Sequence, residues 1–138
     1  KNKTILTTGP YMRRFFFSID EAVDLVKFAL ENSRNFSGKI ISTEMKSSLI
    51  IDVLKVWIKK YGGKYNIVKS RKGDRDDEFL FGFNEIDYVY KIKKNNKIYY
   101  VIDFNKKAKN PIKKIISSKN TKKLNESEIL KIIQLGMH

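Results

Sequence analysis

The residues Arg14-Phe15-Phe16-Phe17-Ser18-Ile19-Asp20-Glu21 join a predicted strand to a predicted helix. The aromatic run suits a strand, and its three phenylalanines are expected to pack in the core under the helix. Ser18 and Glu21 match a capping box, in which the two residues satisfy free backbone N–H groups at the helix start. Apolar residues then recur at helical spacing as far as about Ser33: Ala22, Leu25, Val26, Ala29 and Leu30. This period predicts a helix with one apolar face.

The next segments continue the alternation of strand and helix. Lys39-Ile40-Ile41-Ser42 predicts a buried strand. A second helix is predicted to begin near Ser47 or Ser48, and Gly62-Gly63 ends it because glycine tolerates the left-handed conformation. One stripe of this helix is apolar: Ile50, Val53, Leu54, Trp57, Ile58 and Tyr61. Tyr65-Asn66-Ile67-Val68 predicts the strand that follows.

The last third of the chain adds a hairpin and a helix. Lys94-Asn95-Asn96-Lys97 lies between two strand-like segments and predicts a β-hairpin over residues 88–102, because asparagine tolerates positive φ. Residues 104–123 show little periodicity and are expected to form an extended, lysine-rich arm. Asn125 and Glu128 then cap a short helix. The whole order predicts a small α/β domain.

Composition excludes several classes of protein. The chain has 138 residues, 41% of them hydrophobic, which fits one domain with one core. No apolar run approaches the roughly 20 residues of a membrane-spanning helix, so no membrane span is expected. The absence of cysteine excludes disulfides and a thiolate nucleophile, and the single histidine, His138, nearly excludes histidine catalysis and metal binding. The sequence contains neither G-x-G-x-x-G nor a Walker loop, so no dinucleotide site is visible.

The basic charge is concentrated in one stretch. The formal net charge is +14, and residues 91–123 alone carry 12 lysines and one acid, Asp103. Such a stretch can bind phosphate backbones or an anionic membrane surface. The alternative is that the lysines only solvate a hairpin and a loop. The alternative is favoured because lysine outnumbers arginine 24 to 5, whereas base-reading sites favour arginine.

The segment Arg71-Lys72-Gly73-Asp74 contains the residue types needed to hold a nucleoside diphosphate. Arg71 can donate to two phosphate oxygens, Gly73 lets the backbone turn, and Asp74 can accept from a ribose diol. As a bare string, R-x-G-D is more often a charged turn. The adjacent acids Asp76-Asp77-Glu78 lack a second set of ligands, so a solvated, self-paired loop is favoured over a cation site.

The order of these motifs resembles a known family. Pro10-x-Met12-x-Arg14-Phe15-Phe16 followed by Ser18-Ile19-Asp20-Glu21-Ala22-Val23 resembles the P-x-M-T-R-F-F…EAV segment of the polysaccharide-biosynthesis nucleotide-sugar dehydratases. Residues 71–78 fall where that family has R-P-G-E-K-x-H-E, and residues 117–129 are similar to its serine-rich arm and short helix. The family comprises UDP-N-acetylglucosamine 4,6-dehydratases, some also 5-epimerases, of the extended short-chain dehydrogenase/reductase superfamily.

The sequence departs from the family pattern at several positions. Arg13 replaces a threonine, Lys72 a proline and Asp77 a histidine, and Asp74 is a shortened glutamate. The R-x-G-D form resembles related UDP-sugar epimerases, so Asp74 still suits a ribose contact. A 4,6-dehydratase, an epimerase-like relative and a degenerate enzyme all stay open. Arg13 and Arg14 alternate across a strand, so one of them can face solvent while the other faces a cleft.

The resemblance is to the C-terminal, substrate-binding part of the family. It implies a nucleotide-sugar-binding α/β region over residues 1–103 and a lysine-rich arm with a short helix over residues 104–138. The family's nucleotide-binding Rossmann half, with its glycine-rich loop and Tyr-x-x-x-Lys pair, is expected to be absent. Around Tyr61 the spacing to Lys64 is three residues, not the four that a helical pair needs.

The resemblance also implies roles and partners. Arg71 is expected to contact the pyrophosphate of a UDP-sugar, Asp74 the ribose, and Arg14 to support the substrate cleft. The whole enzyme is expected to be a cytoplasmic homo-oligomer that uses NAD(P) to oxidise C4, remove water across C5–C6 and return the hydride. This chain is expected to bind part of the substrate, without a metal, a cofactor or a catalytic residue of its own. A small basic nucleic-acid-binding module is the second hypothesis.

Overall fold

The computed structural model describes residues 3–136, so His138 lies outside the described residues. The fold is mixed α/β, as the sequence predicts. In chain order the elements are β1 (Thr4–Thr7), β2 (Arg13–Phe16), α1 (Ile19–Glu31), α2 (Ser33–Phe36), β3 (Ile40–Thr43), β4 (Lys46–Leu49), α3 (Ile50–Tyr61), β5 (Lys64–Ile67), β6 (Phe79–Phe81), β7 (Val89–Lys94), β8 (Lys97–Ile102), β9 (Ile116–Ser117) and α4 (Glu126–Leu135). They form two compact units, each assembled from separate stretches of the chain.

The first unit contains residues 3–16, 46–78 and 118–136. Its strands form two pairs, β1 with β5 in parallel and β2 with β4 antiparallel. Helices α3 and α4 pack together. Their shared core contains seven apolar residues: buried Val56, Ile129 and Ile133, with Val53, Trp57, Leu124 and Leu130 packed against them. Burying these side chains provides the main stabilisation of the unit.

The ends of α3 and α4 follow local sequence signals. Gly62 has φ +74°, and its N–H donates to the carbonyl of Ile58, so the predicted glycine stop is confirmed. The predicted capping box of α4 is also present: Asn125 accepts from the Glu128 N–H, and Glu128 accepts from the Asn125 N–H. A hydrogen bond from Lys46 lowers the pKa of Glu128 below its ordinary value.

The start of α3 was predicted wrongly. Ser47 and Ser48 belong to β4, and the helix begins at Ile50. Both serines are buried, because they pair with Phe15 and Arg14 of β2. A four-residue strand with two central serines has no apolar alternation, so the sequence pattern did not show it. Strand β1 was missed for a similar reason, since its partner β5 is some 60 residues away in the chain.

The second unit contains residues 17–45 and 79–117. Strands β3, β8 and β7 form an antiparallel sheet, and β6 pairs with β9. The core of the unit contains Phe81, Val89, Tyr100, Ile102 and Ile112. The predicted hairpin of β7 and β8 is confirmed, and its two turn asparagines, Asn95 and Asn96, have φ of 51° and 60°.

The segment predicted as an extended arm, residues 104–123, is more integrated than expected. Ile112 is buried in the core, and its N–H donates to the carbonyl of Val89. Strand β9 pairs with β6. Anchoring by single buried residues leaves no periodic pattern, which explains why the sequence suggested only an arm. The division of the chain at residue 103 stays a prediction.

Helix α1 begins at its predicted capping box, with Ser18 N–H to Glu21 Oε2 at 2.6 Å and Glu21 N–H to Ser18 Oγ at 3.2 Å. Its predicted apolar face, however, is only partly packed. Phe28 is the buried residue of the helix, whereas Val26 and Leu30 are 57% and 68% exposed. Phe17 is 50% exposed, so the prediction that it belongs to the core is wrong.

Candidate functional site

The segment Arg71–Asp74 forms a tight, exposed turn in the first unit. The N–H of Arg71 donates to Asp74 Oδ2 at 3.1 Å, and the N–H of Asp74 donates to the Arg71 carbonyl at 3.2 Å. Gly73 has φ +91°, a conformation that side chains rarely adopt. The turn therefore fixes the Asp74 carboxylate beside the Arg71 backbone, and the Arg71 side chain is exposed to solvent. The structure thus brings two of the three predicted site residues together.

Arg14, the third predicted residue, holds the loop that follows this turn. Its Nη1 donates to the Arg75 carbonyl at 3.0 Å, and its Nε lies 3.2 Å from Glu78 Oε1. Nη2 lies 3.1 Å from Met12 Sδ. Arg14 is therefore engaged with its own unit through each of its guanidinium nitrogens. A direct contact between Arg14 and a substrate stays a prediction.

Arg13 makes a parallel set of contacts with the same loop. Its backbone N–H donates to the Asp76 carbonyl at 2.7 Å, and its Nη1 lies 3.3 Å from Asp77 Oδ1. The two neighbouring arginines of β2 thus both reach residues 75–78, although alternation along a strand would have allowed one of them to face solvent. This pairing also corrects the interpretation of the acidic run as self-paired, since its partners come from β2.

A buried serine, Ser118, also holds residues 77 and 78 of this loop. The Oγ of Ser118 donates to Asp77 Oδ1 at 3.1 Å and accepts from the Glu78 N–H at 3.0 Å. The Ser118 N–H donates to the Glu78 carbonyl at 2.8 Å, and the Ser118 carbonyl accepts from Ser47 Oγ at 2.6 Å. Both serines are fully buried. We call Arg13, Arg14, Ser47 and Ser118 the loop anchor.

The sequence carried partial signals for the loop anchor. The family resemblance singled out Arg13 and Asp77 only as departures from a pattern. It also matched the serine pair that includes Ser118 to a serine-rich arm. What it did not show is that these positions contact one another, because Arg13, Asp77 and Ser118 are far apart in the chain.

The described residues show neither a cluster of metal ligands nor a helical tyrosine–lysine pair. Within residues 3–136, no group of three or more His, Cys, Asp or Glu residues is placed to hold a metal ion. Tyr-x-x-x-Lys spacing does occur as a string, at Tyr65–Lys69 and Tyr90–Lys94, which corrects the expectation that it is missing from the sequence. Tyr65 lies in β5 and Tyr90 in β7. Residues four apart are about 13 Å apart along a strand but only about 6 Å apart along a helix, so these strings do not form the helical pair.

Several lysines of the basic stretch, residues 91–123, form ion pairs within the second unit. Lys94 pairs with Glu31, Lys97 with Asp24 and Lys107 with Asp87. The hydrogen bond between Lys97 and Asp24 lowers the pKa of Asp24 and raises the pKa of Lys97. The hydrogen bond to Asp87 raises the pKa of Lys107 in the same way. These contacts agree with the interpretation favoured from the sequence, in which the lysines solvate a hairpin and a loop. Exposed pairs of this kind contribute little to stability.

These features define a small mixed α/β domain that presents an anchored arginine-glycine-aspartate turn. The sequence family described as polysaccharide biosynthesis protein matches residues 1–103 of the 138-residue chain. The chain therefore belongs to this family. The coarse prediction of a polysaccharide-biosynthesis relative is thus confirmed.

Two curated relatives align along nearly the whole chain. An uncharacterized membrane protein of Methanocaldococcus jannaschii is 32% identical over an alignment 144 residues long, which covers 97% of this chain and 41% of the relative. A UDP-glucose 4-epimerase of Rickettsia akari is 28% identical over an alignment 145 residues long, which covers 96% of this chain and 41% of the relative. The chain spans about two-fifths of the length of these relatives. One relative carries the name membrane protein, while no helix within residues 3–136 is long and apolar enough to cross a membrane.

A solved structure supports the fold. The X-ray structure of Pen from Bacillus thuringiensis matches with a TM-score of 0.79 at 19% sequence identity, over 99% of this chain and 41% of that chain. At this identity the likeness concerns the fold. The match again covers about two-fifths of a longer protein.

Proposed function

We propose that this chain is the nucleotide-sugar-binding part of a longer polysaccharide-biosynthesis enzyme. The family match over residues 1–103 and the relative named UDP-glucose 4-epimerase support a role in modifying a nucleotide sugar. The single observation that carries the proposal is the exposed Arg71–Asp74 turn. The turn carries the guanidinium of Arg71 and the carboxylate of Asp74, which accepts a hydrogen bond within the turn. The loop anchor holds the residues that follow, 75–78, by hydrogen bonds.

Each residue of the turn has a role that its chemistry allows. The planar guanidinium of Arg71 donates to the pyrophosphate of a UDP-sugar, because its fork of N–H groups matches two phosphate oxygens. Asp74 uses Oδ2 in the turn, and the other carboxylate oxygen accepts from a ribose hydroxyl. Arg14 and Arg13 act on substrate through the loop, by keeping residues 75–78 in place. Preorganisation of this kind lowers the entropy cost of binding.

The finer assignment is a UDP-N-acetylglucosamine 4,6-dehydratase, and it rests on the resemblance of the motifs around Arg14 and Arg71. NAD(P), when bound by the nucleotide-binding half of such an enzyme, supplies the hydride acceptor and donor. The residues of this chain do not fit that cofactor, since the sequence lacks a glycine-rich loop at a helix N-terminus. A cytoplasmic location and a homo-oligomeric whole enzyme belong to the same proposal.

The test is Arg71→Ala in the protein encoded by the complete reading frame. Loss of a charge-assisted hydrogen bond costs about 1.5–3 kcal/mol, so the Kd for a UDP-sugar should rise about 10- to 140-fold. The matched control is Arg34→Ala, which removes the side chain of another exposed arginine, in α2. Titration calorimetry with UDP-N-acetylglucosamine and with UDP-glucose measures both variants. An unchanged Kd for both sugars in Arg71→Ala would contradict the proposal.

A further inference from the structure

Helix α1 exposes a continuous stripe of branched aliphatic side chains. Ile19, Val23, Val26 and Leu30 are 67%, 44%, 57% and 68% exposed. Their spacings of four, three and four residues place them on one side of the helix. This is the spacing of the apolar seam at which one helix packs against another. We call these four residues the α1 stripe.

The stripe is held facing outward because the opposite side of α1 is already packed. Phe28 stacks on Tyr99 of β8 with ring centroids 3.7 Å apart. Asp24 pairs with Lys97, and Glu31 pairs with Lys94 at 2.8 Å. The buried Phe28 ring is the main contact that fixes the rotation of the helix about its own axis, and the two exposed ion pairs lie on the same side. The stripe therefore cannot turn inward without breaking the contacts of α1 with the hairpin.

An apolar seam left in water is a sign of a missing partner. Single exposed aliphatic residues are common on protein surfaces, but contiguous apolar patches usually mark an interaction site. Phe17, 50% exposed, extends the patch at the start of the helix, and together with Ile19, Ala22 and Val26 it lines a shallow apolar groove.

We propose that the α1 stripe docks a helix from the part of the longer protein that lies outside this chain. The proposal rests on the proposed function in one respect, that the chain is part of a longer protein. The matched region makes up 41% of each of two curated relatives and of the structural neighbour. Most of each of those proteins is thus available to cover the stripe.

A second copy of the chain fits the stripe less well than a covalently linked helix. From Ile19 to Leu30 the stripe is about 16 Å long, which at a helix width of about 10–12 Å covers on the order of 200 Å². A stable interface buries roughly 800 Å² per partner. A bimolecular contact must also offset the loss of translational and rotational freedom. A linked helix avoids most of that cost because its effective concentration is high.

The chain has no cysteine, so Val26→Cys introduces a single thiol into the stripe. We expect this thiol to react freely with a small maleimide in the 138-residue chain and at least about tenfold more slowly in the protein from the complete reading frame. Mass spectrometry of the labelled peptide measures the extent of labelling at residue 26 even if the longer protein has other cysteines. The control is Asp20→Cys, on the polar side of α1, which should react at similar rates in both proteins.

A second variant, Val26→Asp, tests the energetics. It should leave the melting temperature of the 138-residue chain within about 1 °C and lower that of the longer protein by several degrees, since the charge would be buried only there. Three results would overturn the proposal: equal reactivity of Val26→Cys in both proteins, a reading frame that encodes no further segment, or a dimeric chain in which the thiol is already protected. Nucleotide-sugar affinity enters none of these readouts. If Val26→Cys reacts slowly in the longer protein while Arg71→Ala leaves the Kd for UDP-sugars unchanged, the docking proposal stands and only the proposed function is refuted.

Discussion

Replacing Ser118 by alanine should destabilise the first unit by about 2 kcal/mol. The hydroxyl is fully buried, and it connects two parts of the loop: Oγ donates to Asp77 and accepts from the Glu78 N–H. Alanine keeps the backbone bonds of residue 118 but removes both hydroxyl contacts. The substitution thus tests whether the loop anchor contributes to stability or merely accompanies the fold.

The magnitude follows from the two groups that lose a partner. A hydrogen bond to a charged group contributes about 1.5–3 kcal/mol, and a buried N–H left without an acceptor costs about 1–3 kcal/mol. Water can replace part of the first contact because the Asp77 side chain is 28% exposed. The backbone N–H of Glu78 is only partly buried. The sum of the two lower limits is about 2.5 kcal/mol, and because both groups keep some access to water a total slightly below it, about 2 kcal/mol, is expected.

Urea denaturation followed by tryptophan fluorescence measures this loss. Trp57 is the only tryptophan and lies in α3 of the same unit. With a slope of about 2 kcal/mol per molar urea, a loss of 2 kcal/mol lowers the midpoint by about 1 M. The control is Ser70→Ala, at an exposed serine that precedes the turn. A midpoint shift no larger than that of the control would refute the reasoning.

Two further predictions concern partners. Titration of the 138-residue chain with NAD should give no saturable heat, because no glycine-rich loop is present to hold a pyrophosphate at a helix N-terminus; a stoichiometric isotherm would contradict the domain assignment. Duplex DNA should bind the chain with a Kd weaker than roughly 10⁻⁶ M at near-physiological salt, the range of non-specific contacts, measured by fluorescence anisotropy with two unrelated sequences. Sequence-selective binding at about 10⁻⁸ M or tighter would instead favour the nucleic-acid-binding module.

Local signals in the sequence were reliable where a few neighbouring residues decide the structure. Both capping boxes, at Ser18 and Asn125, form as predicted. So do the glycine stop at Gly62 and the hairpin turn at Asn95 and Asn96. In each case the interacting groups lie within four residues of one another, so the pattern contains all the partners.

Contacts between distant segments were not predictable in the same way. Strand β4 forms because Ser47 and Ser48 meet β2, and the loop anchor forms because Ser118 meets residues 77 and 78. A serine in a sequence is equally typical of a helix cap, a turn or a solvent-exposed position. Its burial here depends on partners that lie 30 to 70 residues away, about which a single sequence says little.

Helix α1 shows what a periodic pattern leaves undecided. The predicted face combined Leu25 and Ala29 with Val26 and Leu30 as one surface. In the structure the first two lie toward the packed side with Phe28, and the last two belong to the exposed stripe. Periodicity identifies apolar residues that need a partner, but it does not say which partner covers each of them. For a chain that spans two-fifths of its relatives, some of those partners are expected elsewhere in the longer protein. Val26 and Leu30, the misassigned half of the predicted face, therefore belong to the α1 stripe, the surface at which we expect the rest of that protein to dock.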